Sequence, residues 1–108
     1  MLQVAGVGEN IAERLAAYGI ALLDANRRMN LTGAETLDEL LPHLLDSLSV
    51  ADYARTPHVD VGSGGGLPAL PIALATGVPV TMVESTAKKG VFLRAMLSEF
   101  GLSGNVVA

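Results

Sequence analysis

The 108-residue chain contains no cysteine and no tryptophan, and aromatic residues make up only 4% of it. The absence of cysteine excludes a disulfide framework and thiolate catalysis, and it fits a reducing compartment. No apolar run approaches the roughly 18 to 20 residues that a membrane-spanning helix needs, and the first residues lack a signal-peptide pattern. Since 50% of the residues are hydrophobic, a disordered segment is also excluded. These features predict a soluble, cytoplasmic globular unit with no membrane partner.

Acidic residues exceed basic ones, with 11 Asp and Glu against 7 Lys and Arg. Residues 1–56 carry the whole excess, whereas residues 57–108 are balanced. This is not the broad basic surface of a protein that binds nucleic acid mainly through phosphates, so any RNA contact must depend on small local clusters. No group of residues has metal-ligand spacing, and no Ser, His and acid order indicates a nucleophile. We therefore predict no metal site and assign no catalytic residue.

Hydrophobic periodicity predicts two helices in the first half of the chain. Apolar residues recur at spacings of three and four from Glu9 to Met29, which is typical of an amphipathic helix, and a turn follows at residues 30–33. Thr36 and Glu39 then form a capping-box pattern before a second leucine-rich helix. Pro42 lies inside that pattern and predicts either a kink or two short helices.

The pattern changes after a polar break at residues 55–58. Short strands and helices are predicted in the order β-α-β-α-β, at residues 58–61, 68–75, 78–83, 87–100 and 105–107. Gly101 is predicted to end the last helix, whose inward-facing residues are predicted to be Val91, Phe92, Ala95, Met96 and Leu97. This order favours a parallel sheet in an α/β fold. We divide the chain into a helical N-terminal extension, residues 1–56, and an α/β unit, residues 57–108.

Three strands leave the first strand of this predicted sheet with an unpaired edge. A doubly wound sheet usually places its first strand near the centre, and exposed edges promote association. We therefore expect the chain to be an incomplete part of a longer protein, with doubtful activity by itself and a tendency to self-associate through this edge. A natural minimal domain that pairs the edge in a homodimer is the alternative.

The segment from Asp60 to Pro68 is the main candidate for a ligand-binding motif, and its sequence is Asp-Val-Gly-Ser-Gly-Gly-Gly-Leu-Pro. Glycines at positions 62, 64 and 66 allow positive φ and close approach to a ligand. A phosphate-binding P-loop needs Lys and Ser or Thr after the last glycine, and a dinucleotide fingerprint needs glycine where Leu67 stands. The spacing acid-x-Gly-x-Gly-x-Gly instead resembles the first motif of S-adenosylmethionine-dependent methyltransferases. A purely structural turn is the remaining alternative.

A second acidic residue supports the cofactor interpretation. Glu84 lies 20 residues after Gly64, at the predicted end of the second strand, where a carboxylate can accept hydrogen bonds from the ribose hydroxyls of an adenosine. Ser85 and Thr86 follow and are positioned to contact the adenine. Thr86 is equally well explained as the N-cap of the next helix.

Four motifs in the same order resemble the glucose-inhibited division protein B family, the small-subunit ribosomal RNA methyltransferase G family. They are Asn30-Leu31-Thr32, His43-Leu-Leu-Asp-Ser-Leu48, Asp60-Val-Gly-Ser-Gly-Gly-Gly-Leu-Pro68, and Val83-Glu-Ser85 with Lys88-Lys89 and Phe92-Leu93. The resemblance runs from about Tyr18 to the last residue. It implies a cytoplasmic enzyme with helices on a Rossmann-like core, of which this chain is the first half. It also implies methyl transfer from S-adenosylmethionine to N7 of a guanine in 16S ribosomal RNA.

The resemblance also implies which residues bind the cofactor and the RNA. The implied cofactor-binding residues are Gly62, Ser63, Gly64, Leu67, Glu84, Ser85 and Thr86, with the first ones on the methionine side and the last three around the adenosine. The candidate RNA contacts are Asn30, His43, Lys88 and Lys89. His43 shares a helix face with Asp46 and Ser47, which is either a solvated patch or a surface above the cofactor. The two lysines are either a solvated face or a phosphate contact, and Asn30 is either a turn former or a base or phosphate contact.

Chemistry at N7 of guanine needs no general base, because that nitrogen carries an accessible lone pair in the neutral base. Catalysis would then come mainly from orientation and proximity. The implied partner is 16S ribosomal RNA or the small ribosomal subunit. A small-molecule methyltransferase, which would have a closed apolar pocket, and a non-catalytic chain that only folds and associates are the two alternatives.

Overall fold

The computed structural model describes residues 9–49, 58–61 and 64–108 of the protein. These residues form an α/β fold with a small parallel sheet, as predicted. The elements in chain order are α1 (Glu9–Asn26), α2 (Leu37–Ser49), β1 (His58–Val61), α3 (Ala69–Thr76), β2 (Val80–Val83), α4 (Ala87–Glu99) and β3 (Gly104–Val107). None of the helices in this part of the chain is long and apolar enough to cross a membrane.

Helix α1 ends at Asn26, three residues before the predicted end, because the Asn26 side chain organises the turn that follows. Its Oδ1 accepts hydrogen bonds from the N–H groups of Leu31 at 2.7 Å and Thr32 at 3.0 Å. Its Nδ2 donates to the carbonyl of Ala34 at 3.3 Å. The amide therefore satisfies backbone groups that a longer helix would have paired internally.

Helix α2 begins with the predicted cap and continues past its proline. The Glu39 N–H donates to Thr36 Oγ1 at 3.2 Å, while the Glu39 carboxylate accepts from the N–H of Glu35 at 3.3 Å. Pro42 lies on the exposed side of a single helix, so of the two predicted alternatives, a kink or two short helices, the second is wrong. Leu40 and Leu44 are fully buried on either side of the proline, and this packing holds the helical turns together.

The sheet has the order β1-β2-β3, with both pairs of strands parallel. Val61 is in register with Val83, and Val83 is in register with Val107. Because parallel strands end at one edge, the loop after β1 and the residues after β2 lie next to each other. Among the described strands β1 is at one side of the sheet, and self-association through it stays a prediction.

Helix α4 packs on β3 with a face that matches the predicted one at three of five positions. Phe92, Met96 and Leu97 are buried as predicted, but Val91 is 64% exposed and Ala95 is also exposed, so these two assignments are wrong. Leu93 is fully buried instead. At 3.6 residues per turn a helix cannot bury positions 91 and 95 together with 93 and 97, and the larger leucines occupy the core. The helix ends as predicted before Gly101, whose φ is +62°.

The N-terminal helices and the sheet share one hydrophobic core. Helix α1 contacts α2 and α3, and α3 contacts β2. The largest fully buried side chains of this core are Leu15, Tyr18, Leu22, Leu40, Leu44, Leu70, Val80, Met82 and Leu93, together with Pro71. The predicted boundary between residues 56 and 57 lies outside the described residues and stays a prediction.

Candidate functional site

The described part of the glycine-rich loop adopts the positive φ angles that its sequence predicts at Gly64 and Gly66. Gly64 has a φ of +52° and Gly66 a φ of +94°, both in the region that glycine alone adopts readily. A Cβ on Gly66 would collide with the side chain of Leu70, so this position also needs glycine for packing. Gly62 and Ser63 lie outside the described residues. Leu67 is half-buried just before α3.

Glu84 joins this loop to the end of β2. Its Oε1 accepts a hydrogen bond from the N–H of Gly64 at 2.8 Å, and its Oε2 accepts one from the N–H of Thr86 at 2.9 Å. The backbone N–H of Glu84 itself donates to the carbonyl of Val107 at 2.9 Å, which ties the residue to β3. The carboxylate is thus held between two segments that both follow a parallel strand.

The Glu84 carboxylate is stabilised in its charged form. The N–H of Thr86 and then the N–H of Gly64 lower its pKa, and the hydroxyl of Thr86 and the charge of Lys89 act in the same direction. Partial burial opposes these effects without reversing them. An ionised carboxylate offers about four acceptor positions, of which these two N–H groups take two. Glu84 is half-buried, so the remaining positions suit a ligand with two neighbouring hydroxyls.

Ser85 and Thr86 lie beside Glu84 and are both exposed. Thr86 occupies the N-cap position of α4, but its side chain makes no capping hydrogen bond. Its carbonyl accepts the N–H of Gly90 at 3.0 Å, as the first bond of the helix. The backbone therefore matches the N-cap interpretation, whereas the Thr86 side chain does not act as a cap.

Helix α1 contacts the loop directly, which the sequence interpretation missed. The Tyr18 hydroxyl donates to the carbonyl of Gly65 at 2.6 Å in a buried hydrogen bond. A Cβ on Gly65 would lie 2.7 Å from Leu22 Cδ1 and 3.3 Å from the carbonyl oxygen of Leu31. A fourth glycine at a position that the motif leaves free was the available indication of this contact.

The polar face of α2 lies against the end of the glycine-rich loop. His43, Asp46 and Ser47 line a cleft of about 320 Å³ together with Leu67 and Pro68. His43 and Asp46 are exposed. Ser47 is buried, and its hydroxyl donates to the carbonyl of His43 at 2.9 Å, within the same helix. Two of the three predicted members of this face thus present polar groups to the cleft beside Leu67.

The other candidate RNA contacts lie elsewhere. Asn30 is exposed in the connection between α1 and α2, and Lys88 lines a separate cleft of about 350 Å³ with Arg28. Lys89 is half-buried near Glu84. The structure therefore separates His43 from Lys88. Across the described ranges, no group of three or more His, Asp or Glu residues could hold a metal ion.

Comparison with known proteins identifies the family. Residues 11–108 match the model of the GidB family, described as rRNA small subunit methyltransferase G. A protein of Alkalilimnicola ehrlichii named ribosomal RNA small subunit methyltransferase G is 44% identical over 97 residues, which are 87% of this chain and 44% of that protein. Proteins of the same name from Paracoccus denitrificans and Brachyspira hyodysenteriae are 40% and 36% identical, over 83% and 89% of this chain and 49% of each relative.

The chain spans about half the length of the curated relatives it matches. The matched region includes most of α1 and all of α2, together with the sheet, the glycine-rich loop and Glu84. The resemblance inferred from four short motifs is therefore confirmed over nearly the whole sequence. The chain belongs to the rRNA small subunit methyltransferase G family.

Proposed function

We propose that the intact protein carrying this chain transfers a methyl group from S-adenosylmethionine to N7 of a guanine in 16S ribosomal RNA. The observation that carries the proposal is the Glu84 carboxylate, which bonds the N–H groups of Gly64 and Thr86 where two parallel strands end. Ligands of α/β sheets bind at such carboxyl ends. The substrate would be 16S RNA or the small ribosomal subunit, and a cytoplasmic location is part of the proposal.

The residues at this crevice fit S-adenosylmethionine. Residues 60–68 include no lysine or arginine, which suits a cofactor that has no phosphate. Glu84 would accept the two ribose hydroxyls, because it is ionised at neutral pH and keeps unused acceptor positions. Ser85 and Thr86 would lie along the adenosine. The methionine side would be held by Gly62, Ser63, Gly64 and Leu67.

The same sheet edge belongs to a doubly wound, Rossmann-like fold in this proposal. The observed sequence of elements β1-α3-β2-α4-β3 and the parallel pairing support that assignment. The two ends that meet at the crevice are those of the first and second strands, where the first glycine-rich turn of such folds contacts its ligand.

The bound cofactor would supply an electrophilic methyl group, and the guanine N7 lone pair would attack it without a general base. The residues of this chain therefore have to orient and enclose rather than transfer protons, and such positioning can lower a barrier by several kcal/mol. The cleft between His43, Asp46 and Leu67 is where we place the target nucleotide, with the base drawn out of its stack. Asn30, Lys88 and Lys89 would contact the surrounding RNA.

Methyl transfer to defined acceptors tests the proposal. The intact protein, labelled S-adenosylmethionine and unmodified small ribosomal subunits are expected to give labelled 16S RNA, with the label at N7 of one guanine. The Glu84→Gln variant should lose most of this transfer. Glu99→Gln, which changes an exposed carboxylate at the far end of α4, is the matched control and should keep it.

Other outcomes distinguish the remaining functions. Transfer to small metabolites but not to subunits would identify a small-molecule methyltransferase. Failure to bind the cofactor at all would favour a chain that only folds and associates.

A further inference from the structure

We propose that helix α1 is a working part of the cofactor site, with Tyr18 as a positioning residue that holds the glycine-rich loop in its binding conformation. This inference rests on the proposed function, because it takes the loop to be the cofactor loop. It assigns to the N-terminal helices a task in ligand binding that is separate from any contact with RNA.

The first observation is the bond between Tyr18 and the loop. The hydroxyl of Tyr18 donates to the Gly65 carbonyl at 2.6 Å, across 47 residues of sequence. Tyr18 is fully buried and Gly65 is also buried. A buried phenol needs a hydrogen-bond partner, and a buried carbonyl that loses its partner costs about 1 to 3 kcal/mol. Loss of this buried bond would therefore destabilise the loop at Gly65.

This bond fixes the orientation of a peptide group that the loop would otherwise leave loose. The Gly65 carbonyl and the Gly66 N–H belong to one planar trans peptide, so they point in opposite directions. Holding the carbonyl toward α1 turns the Gly66 N–H away from α1. Because residues 64–66 are three consecutive glycines, few steric limits restrict this peptide without the tyrosine.

The loop is held at the adjacent residue from the other side. Glu84 accepts the N–H of Gly64 at 2.8 Å, and Tyr18 donates to the carbonyl of Gly65 at 2.6 Å. The end of β2 and the middle of α1 thus fix two successive loop residues. Ordering a flexible loop before the ligand arrives removes that entropy cost from binding, which is the general basis of preorganisation.

The second observation is that packing against α1 requires a glycine at position 65. The motif acid-x-Gly-x-Gly-x-Gly leaves position 65 free, and Gly65 does not adopt positive φ, so neither the motif nor the backbone conformation requires it. Its missing Cβ is needed because Leu22 Cδ1 would lie 2.7 Å away and the Leu31 carbonyl oxygen 3.3 Å away. The loop is therefore shaped to receive α1 and the turn after it.

A matched pair of variants on α1 tests the proposal. Tyr18→Phe removes only the hydroxyl, and Arg14→Met, one turn earlier, removes the guanidinium that donates to the carbonyl of Phe100 at 2.5 Å. Both changes delete one hydrogen bond from α1 to a distant carbonyl, but only the first reaches the loop. In the intact protein, Tyr18→Phe should weaken binding of S-adenosylhomocysteine about 3- to 10-fold in calorimetry. Arg14→Met should leave the dissociation constant within about twofold at a similar loss of thermal stability.

A second pair keeps the test valid if Tyr18→Phe fails to fold. Gly65→Ala should weaken binding of S-adenosylhomocysteine, and adding Leu22→Val, which removes the colliding Cδ1, should restore part of it. Equal binding by wild type and Tyr18→Phe, or no recovery in the double variant, would overturn the role of α1 while leaving the proposed function intact. A wild-type protein that does not bind S-adenosylhomocysteine would overturn both.

Discussion

Glu84 and Gly64 are separated by 20 residues and joined by a 2.8 Å hydrogen bond from the glycine N–H to the carboxylate. The same carboxylate accepts the N–H of Thr86, so one side chain organises the ends of two neighbouring strands. Because the Glu84 carboxylate bonds the loop that follows β1, an acidic residue 20 positions after Gly64 indicates the end of the next parallel strand.

The contribution of Glu84 to stability should depend on pH. Its folded-state pKa is lowered by the N–H groups of Thr86 and Gly64, so the unfolded state binds a proton more readily than the folded state. The stabilisation is therefore complete above the ordinary glutamate value of 4.5 and is lost as the pH falls through the lower folded pKa. The measurement is the difference in unfolding free energy between wild type and Glu84→Gln, which should stay constant from about pH 7 to pH 5 and shrink below that range. A difference that grows on acidification contradicts the assignment.

Gly66→Ala should destabilise the protein by more than backbone strain alone. Gly66 has a φ of +94° and no room for a Cβ beside Leu70, whereas Gly77 has a φ of +74° and open space around it. Gly77→Ala therefore measures strain alone, about 1 to 2 kcal/mol. Urea unfolding should show a clearly larger loss for Gly66→Ala, and calorimetry should show weaker binding of S-adenosylhomocysteine only for that variant. Equal losses would mean that Leu70 moves aside without cost.

Asn26→Ala should lower the unfolding free energy by about 2 to 3 kcal/mol, because it removes three backbone partners of the turn after α1. Asn26→Asp keeps the oxygen that Leu31 and Thr32 bond, so it should recover most of the loss. Asn105→Ala serves as the control, since that amide accepts one exposed hydrogen bond from the Thr81 hydroxyl. Chemical unfolding of the three variants checks this order of unfolding free energies, and an Asn26→Ala variant as stable as the wild type would contradict it.

Pro42→Ala should stabilise the protein by about 1 kcal/mol or more. The proline is exposed inside α2 and has no N–H to offer the carbonyl of Asp38, four residues earlier. Alanine restores that bond and has the highest helix propensity. These two gains exceed the destabilisation that comes from the greater conformational entropy of the unfolded chain without proline. The midpoint of urea unfolding should rise at constant slope. A lower midpoint would show that the ring has a packing role.

His43→Ala should raise the KM for small ribosomal subunits without weakening binding of S-adenosylhomocysteine. His43 is exposed in the cleft beside Leu67, away from the loop contacts of Glu84 and Tyr18. Pro42→Ala, at the neighbouring exposed position, is the control and should leave both quantities unchanged. Steady-state methyl transfer and calorimetry separate the two effects, and an unchanged KM would remove His43 from the RNA surface.

Local patterns in the sequence predicted the features that depend on neighbouring residues. The cap at Thr36 and Glu39, the positive φ of Gly64 and Gly66, and the end of α4 at Gly101 all follow from short-range chemistry. The meeting of Glu84 with the loop was also predictable, because parallel strands end at a common edge.

Features that depend on distant packing could not be predicted in this way. The bond from Tyr18 to Gly65 spans 47 residues, and a tyrosine on an apolar helix face is first interpreted as core. The continuity of α2 through Pro42 depends on burial of Leu40 and Leu44 against other elements. Leu93 rather than Val91 faces inward because the position of β3 decides which side of α4 is covered.

The buried seam between α1 and the glycine-rich loop also restricts how ligands enter and leave. Helix α1 packs against α2 and α3 and buries Leu15, Tyr18 and Leu22 in the common core, so it cannot move away from the loop without exposing these side chains. If the crevice binds the proposed methyl donor, the donor would enter and its product would leave on the side where Ser85 and Thr86 are exposed to solvent.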